Sequence, residues 1–550
     1  MNNAPREKVA IGRVLSVSGS EARIGLFADA LRSAGDAADA ALTVGKFMGV
    51  ARNRLLLVGI VSQVSTEVPL LVREEGYHAV ASIDLMGEIT SDEVAGDAHF
   101  LRGVTSYPAI GDAAVALSTP DLMKIYDIDK TVGVELGRLQ QDTGVKAYAN
   151  IHDMISKHFA ILGSTGVGKS SGLASLLRQI LAVRPDLRVF LLDGHNEYAH
   201  CFGDSALVIN PANLKLPFWL FTFEELVEVI FAGRPGNDEE VEILTELVPL
   251  AKALYREGPI GRRSDGKATD YSIDTPVPYR LKDLLALIDE RMGKLENRSS
   301  RMNHRRLMTR IEAVSNDPRY NFMFANANVG GDTMAEILRH LFRWRPDGRP
   351  MTVMQLAGIP SEVVDAVVSV LCRMAFDFGL WSNGAMPLLF VCEEAHRYVS
   401  ADRSLGFQPT RRALSRIAKE GRKYKVFLGL ITQRPAELDA NIVSQCSTLF
   451  AMRLANDRDQ QLLLAAASDA ATNLVRFLPS LGPREALAFG AGIPMPTMFT
   501  FPDLPAEFIP RVEAVSGESP PASLNEQVID SAIERWRGAL MAKRVLEGAR

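Results

Sequence analysis

A chain of 550 residues is longer than one hydrophobic core fills and corresponds to three or four domain-sized units. Its 47% hydrophobic and 23% charged residues are those of a water-soluble globular protein, and a net charge of −5 excludes a global polycation, so nucleic-acid contacts would have to be local or lie in an internal channel. Cys201, Cys372, Cys392 and Cys446 lack C-x-x-C spacing, no stretch reaches 18 apolar residues and the first residues, MNNAPREKVAIGRV, lack an apolar signal core; reduced thiols in a cytoplasmic protein without zinc, disulfides or a membrane span are therefore expected.

Residues 1–140 are β-rich. Strand-length runs at 9–17, 54–64, 78–83 and 113–118 are bounded by Gly, Ser, Asp and Pro, the pattern of a small barrel or sandwich. Further strands are expected at 132–139 and 145–148, on the approach to the most informative stretch of the chain.

That stretch begins with the apolar run Phe159–Leu162 and continues into Gly163, Ser164, Thr165, Gly166, Val167, Gly168, Lys169 and Ser170, with Ser171 behind them. The spacing G-x-x-x-x-G-K-S is that of a phosphate loop. Glycines let backbone N–H groups close around a polyphosphate, and the following helix adds its positive end. Leu173, Leu176, Leu177, Ile180 and Leu181 recur at helical spacing, which supplies that helix. Lys169 would reach the β- and γ-phosphates of ATP, and the Ser170 hydroxyl would ligate Mg²⁺.

Next, Arg188–Asp193 is a continuous apolar run ending in a carboxylate, as in a strand of a parallel sheet buried on both faces. It opens into Gly194-His195-Asn196-Glu197-Tyr198 at the strand end where ligands of α/β sheets sit. Asp193 reads either as a site carboxylate or as a turn former. From 222 to about 314 the periodicity is helical between Pro/Gly-rich joints, which marks an insert between strands. Within it, Arg298, Arg301, His304, Arg305, Arg306 and Arg310 form a basic run. No aromatic residues interleave, so a solvated helix face is the favoured reading.

The sheet resumes at 351–356. After a helix over 361–381, Pro387-Leu-Leu-Phe-Val-Cys-Glu393-Glu394 is an apolar strand tipped by two carboxylates, the Walker B arrangement. Glu393 would stand in the Mg²⁺ shell, where an Asp is more usual, and Glu394 would orient or deprotonate the attacking water. A basic helix over 410–419 then ends at Glu420-Gly421-Arg422. The strand starting at Val426 is tipped by Gln433 and Arg434, where a Gln can contact the γ-phosphate or lytic water. Strands at 448–454 and 485–489 follow, and a Pro-rich joint at 502–521 leads to a mixed-charge helix over 522–550.

The β-rich start, GSTGVGKS, LLDGHNEY, LFVCEEAHRYV and EGRKYKVFLGLITQRP stand in one order. Together with LPFWL at 216–220, DPRYNF at 317–322 and LGPREAL at 481–487, they resemble the HerA-type ATPases, relatives of the FtsK DNA translocases and conjugation motors. The resemblance implies an α/β fold: an N-terminal HAS-barrel (1–140), a RecA-like P-loop core in two parts (141–221 and 321–500), a helical insert (222–320) and a C-terminal brace (501–550). It implies a homohexameric ring that hydrolyses ATP with Mg²⁺ between subunits and moves duplex DNA through a central channel. Carried over by residue, Lys169 and Ser170 bind phosphate and Mg²⁺, with Asp193 and Glu393 beside the metal. Glu394 is the catalytic carboxylate, Gln433 the sensor and Arg422 an arginine finger reaching the neighbour's ATP. Lys157 stands where a basic residue, often Arg, also contacts phosphate. The resemblance further implies an effector in trans, a nuclease or a sirtuin-type NADase, in DNA processing or anti-phage defence. A ring scaffold that controls such an effector with little translocation is the alternative reading.

Overall fold

The computed structural model describes residues 9–511, except 28–42, 53–54, 67–76, 92–97, 232–236, 258–270, 295–296, 329–330, 345–347, 403, 405 and 467–468. Two sheets organise these residues. The first is antiparallel and contains β1 (Ala10–Ser18), β2 (Glu21–Phe27), β3 (Phe47–Arg52), β4 (Leu55–Ser65), β5 (Tyr77–Ser91), β6 (Ala98–Arg102) and β7 (Ala113–Ala116). Their order is β2-β1-β7-β3-β4-β5-β6, and β2 also pairs with β5. That last ladder closes six strands into a barrel, which leaves them no free edge. Val14, Ile24, Leu57, Val61 and Ile83 fill the interior. Strands β2, β3 and β6 lie outside the strand-length runs read from the sequence, and antiparallel pairing with their chain neighbours completes them.

The second sheet has eleven strands in the order β12-β13-β11-β14-β15-β10-β16-β17-β18-β8-β9. Its members are β8 (Gly133–Leu139), β9 (Lys146–Asn150), β10 (Phe159–Leu162), β11 (Arg188–Asp193), β12 (Ala206–Ile209), β13 (Met351–Gln355), β14 (Leu388–Cys392), β15 (Val426–Thr432), β16 (Thr448–Ala451), β17 (Glu485–Gly490) and β18 (Thr497–Thr500). From β12 to β16 all neighbours are parallel. From β16 to β9 they are antiparallel. The parallel strands are buried on both faces, which is why they read as unbroken apolar runs.

The sheet corrects one boundary. Strands β8 and β9, on either side of residue 140, extend the large sheet rather than the barrel, because β8 pairs with β18. The barrel and sheet are joined at several points, including Arg102 Nη1 donating to Gly490 O at 2.9 Å and Asn473 Nδ2 donating to Asp84 Oδ2 at 2.8 Å.

Helices cover the sheet. Helix α1 (Lys169–Val183) follows β10. Between β12 and β13 lies the insert, with α2 (Asp238–Glu257), α3 (Leu281–Gly293) and α4 (Arg298–Ser315). Helices α5 (Val364–Trp381) and α6 (Gln408–Glu420) pack together between β13 and β15. The segment 501–511 runs back over the sheet: Arg511 N donates to Glu197 O at 3.1 Å, and the Arg178 guanidinium lies 3.7 Å from the Phe508 ring centre. The mixed-charge helix expected over 522–550 lies outside the described residues.

Candidate nucleotide site

Parallel strands present their C-terminal ends along one edge, and β10 sits between β15 and β16 on that edge. The loop leaving β10 is pinned to both neighbours. Gly163 N donates to Thr432 O at 3.3 Å at the end of β15, and Ser164 N to Arg453 O at 3.0 Å beyond β16. Gly166 and Gly168 have φ of 76° and 98°, the left-handed region in which a Cβ is costly, so the loop needs glycine at both. Gly168 caps α1, whose first residue is Lys169. The backbone N–H groups at the start of α1 therefore converge on the loop's concave side, an anion cradle.

Lys169 Nζ donates to Ser164 O at 2.8 Å, folded back on its own loop. Burial holds its ammonium below the ordinary lysine range, against the pull of Glu394, Glu393 and Glu197. The Thr165 hydroxyl donates to Gln433 Oε1, which ties the phosphate loop to the tip of β15.

The acidic pair at the end of β14 divides in character. Glu393 is buried; Tyr198 OH donates to its Oε1 at 3.1 Å and Gly194 N to its Oε2 at 3.2 Å. Burial and the neighbouring Asp193 and Glu197 push its carboxyl up to about 8. Glu394 has left-handed backbone, φ 49° and ψ 45°, which turns its side chain toward His195 and His396. Glu394 Oε1 lies 3.6 Å from His195 Nε2, and Oε2 lies 3.3 Å from His396 Nδ1. Oε2 is buried and receives no hydrogen bond of proper geometry, since His396 Nδ1 is also 3.0 Å from Thr432 Oγ1. Burial raises the Glu394 carboxyl, but His396, Lys169 and His195 outweigh it and hold it below the usual carboxylate range. A carboxylate kept ionised with an unfilled acceptor is suited to accept a proton from water.

Mg²⁺ takes few protein ligands and uses phosphate oxygens and waters for the rest. The residues fit that habit. The Ser170 hydroxyl is hydrogen-bonded to Tyr198, which in turn holds Glu393, so the two metal candidates form one chain. Asp193 does not fit as a metal ligand. It is fully buried, and its two oxygens accept the amides of Glu197 and Tyr198, both at 3.0 Å. Of the two readings left open, the structure favours the turn former, which fixes Tyr198.

Lys157 and Arg422 are not brought to this edge. Lys157 precedes β10, and its carbonyl accepts Ser447 N at 3.0 Å just before β16. Arg422 lies in the 3-10 turn Gly421–Tyr424 before β15, where the next carbonyl, that of Lys425, accepts Leu388 N at 2.9 Å. Both are exposed at the N-terminal ends of strands whose C-terminal ends form the site. Six residue steps of β15 separate Val426 from Thr432, roughly 20 Å at about 3.3 Å per residue. A phosphate contact by Lys157 would therefore have to be with a nucleotide other than the one on its own loop. The buried His158 locks these two residues into one edge: its Nε2 is 2.9 Å from Ala418 O of α6, and Leu428 N donates to its Nδ1 at 2.9 Å.

Two residues were missed by reading the sequence. Tyr198 lay within the polar cluster already singled out but bore no recognisable role. Arg484, at φ 65°, donates its backbone N to Val167 O at 2.8 Å and pairs its side chain with Asp503, bracing the phosphate loop from β17. Only its place in LGPREAL hinted at it.

The chain is similar to known proteins over much of its length. Residues 134–375 match the family model described as Helicase HerA, central domain. The chain is 24% identical over 464 residues to the DNA double-strand break repair helicase HerA of Pyrococcus furiosus, covering 77% of each chain. It is 26% identical over 399 residues to the helicase of that name from Saccharolobus solfataricus, covering 71% of this chain and 72% of the relative. Among solved structures it is similar to VirB4 of Thermoanaerobacter pseudethanolicus, at 17% identity and a TM-score of 0.45, over 69% of this chain and 99% of that one.

Proposed function

The chain belongs to the HerA-type ATPases and is an ATPase of the translocase and helicase type, and from that premise we propose that it forms a homohexameric ring that hydrolyses Mg²⁺-ATP between subunits and drives duplex DNA through its channel. One observation carries the reading: Lys157 and Arg422 stand exposed at the edge of the sheet opposite the phosphate loop. In a lone subunit neither serves the site. Against a neighbouring subunit, the same edge completes it.

In this reading the cradle of loop amides and Lys169 holds the phosphates. Ser170 and the Tyr198-oriented Glu393 hold the metal, which when bound neutralises phosphate charge. Glu394 orients water and takes its proton. Gln433, tied to Thr165, senses the loop's occupancy. Arg422 of the adjacent subunit stabilises the charge that develops on the transferred phosphoryl group. An effector in trans, a nuclease or a sirtuin-type NADase, has the family likeness alone as its support.

The test is ATPase activity of purified variants. Lys169→Ala and Glu394→Gln should each reduce turnover at least 100-fold, with Glu394→Gln still binding ATP. Arg422→Ala should bind nucleotide normally yet turn over at least 100-fold more slowly. Wild-type turnover by Lys169→Ala would refute the site, and wild-type turnover by Arg422→Ala would refute the inter-subunit assignment.

A further inference from the structure

Helix α4 breaks the rules that stabilise a helix, and it does so in one direction. A turn of about 100° per residue places Asn303, His304, Leu307 and Ile311 on one side, and these are its buried residues. Arg298, Arg301, Arg305 and Arg306 fall within an arc of roughly 140° on the opposite side, and all four are exposed. Arg310 flanks them but is committed to the insert, 3.6 Å from Glu240 and 4.5 Å from the Phe231 ring centre. Among the described residues Arg298, Arg305 and Arg306 make no ion pair, whereas elsewhere on the insert Arg291 pairs with Glu246 and Lys294 with Glu290.

The electrostatics of α4 are unfavourable twice over. Arg298 and Arg301 occupy the first turn, where the helix dipole is positive and acidic residues are normally found; this first turn has none. Arg301 and Arg305 are like charges four residues apart, as are Arg306 and Arg310. A chain with a net charge of −5 has no global excess of cations to dispose of. Arg298, Arg305 and Arg306 face that conflict without an ion pair among the described residues, which marks a face shaped by a partner.

We infer that the exposed arginine face of α4 binds the phosphate backbone of duplex DNA outside the ring's ATPase centre, as a guiding surface on the helical insert. The inference rests on the reading of duplex DNA as the substrate. Guanidinium forks match phosphate oxygens two at a time, and a polyanion relieves both unfavourable terms at once. The shallow clefts along this face, about 740 Å³ beside α3 and about 480 Å³ along α4 itself, include Met302 and Thr309 but no aromatic ring. Without a stacking platform, unpaired bases find no anchor there. Without a buried aromatic hot spot, a protein partner is also poorly served. Asp289 and Glu312 share the larger cleft with Arg298, Arg301 and Arg305, whereas the smaller cleft along α4 carries Arg305, Arg306 and Arg310 and no carboxylate.

The experiment measures binding of a fluorescent 30-base-pair duplex of arbitrary sequence to the full chain across a salt series. The triple variant Arg298→Ala/Arg305→Ala/Arg306→Ala should bind at least 10-fold more weakly at low salt, with the slope of log K against log salt reduced by about 2 to 3. Its ATPase without DNA should be unchanged, and its thermal midpoint equal to or above that of the wild type. The matching triple Arg→Lys variant should keep most of the salt slope, because the charges remain. A triple Ala variant that binds duplex as the wild type does, with the same slope, overturns the inference and leaves the translocase reading standing. A wild type that binds no duplex at any salt concentration overturns the substrate reading, and this inference with it. Loss of binding to poly-glutamate with duplex binding retained would assign the face to an acidic protein and also overturn it.

Discussion

Glu394 concentrates the conflict between stability and chemistry at a single residue. Its left-handed backbone is one that side chains other than Gly, Asn and Asp seldom adopt, at a cost of about 1 to 2 kcal/mol. The strain is retained because it turns the carboxylate out of the line of β14 and between two histidines. Glu394→Gly should therefore remove turnover, at least 100-fold, while leaving the urea midpoint of the core unchanged or raised by the equivalent of about 1 kcal/mol. A clear loss of stability in that variant would mean that the contacts to His195 and His396 hold the fold rather than the reaction. Asp193 makes the opposite point. Its position at a strand tip is that of a site carboxylate, yet its oxygens are filled by two backbone amides. Strand position alone does not distinguish the two roles; full burial and the two amide contacts favour the turn.

At the scale of elements, the sheet works through its two edges. The C-terminal edge gathers β10, β11, β14 and β15 around the phosphate loop, and the N-terminal edge carries Lys157 and Arg422. His158 couples β10, α6 and β15 at that second edge, and burial pulls its imidazole down to about 4. The sign follows from the direction. A histidine held neutral in the fold and free to protonate when unfolded near pH 6.5 stabilises fully above that value; the contribution is lost progressively as pH falls toward 4. Lowering pH from 7 to 5 should cost about 2 kcal/mol through this residue, since each tenfold difference in proton affinity between the folded and unfolded chain corresponds to about 1.4 kcal/mol. Chemical denaturation of His158→Gln at both pH values should show that dependence reduced by a similar amount. Equal pH dependence in the variant and the wild type would show that the histidine titrates outside the fold.

For the whole molecule, the proposed division of one ATPase site between two subunits can be tested without a further structure. In the proposed ring, Arg422→Ala would lack the edge that completes a neighbour's site, and Glu394→Gln the site's own carboxylate. Mixed in equal amounts, two inactive preparations should regain a measurable part of wild-type turnover, because some interfaces then pair an intact carboxylate with an intact arginine. No recovery, with mass measurement confirming mixed oligomers, would place Arg422 outside the reaction. The arginine face of α4 belongs to this scale as well, because it acts only if DNA passes the insert on its way to the channel.

The phosphate loop, the acidic pair and the glutamine at the tip of β15 were legible in the sequence because each depends on local spacing: two glycines that need positive φ, a lysine at a helix start, and apolar runs buried on both faces. The parallel strands other than β12 were legible for the same reason. The barrel strands β2, β3 and β6 were not: each pairs with a chain neighbour, but the closure through β2 and β5 that makes the barrel is a long-range event. The assignment of β8 and β9 to the large sheet likewise depends on pairing with β18, more than 350 residues later. Sequence by itself determined a phosphate loop behind β10 and an acidic pair behind β14. Only the tertiary structure decided that Asp193 serves a turn, that Tyr198 links Ser170 to Glu393, and that Lys157 and Arg422 face away from their own site, because parallel strands have two ends and the chain order does not state which end a residue shares with another.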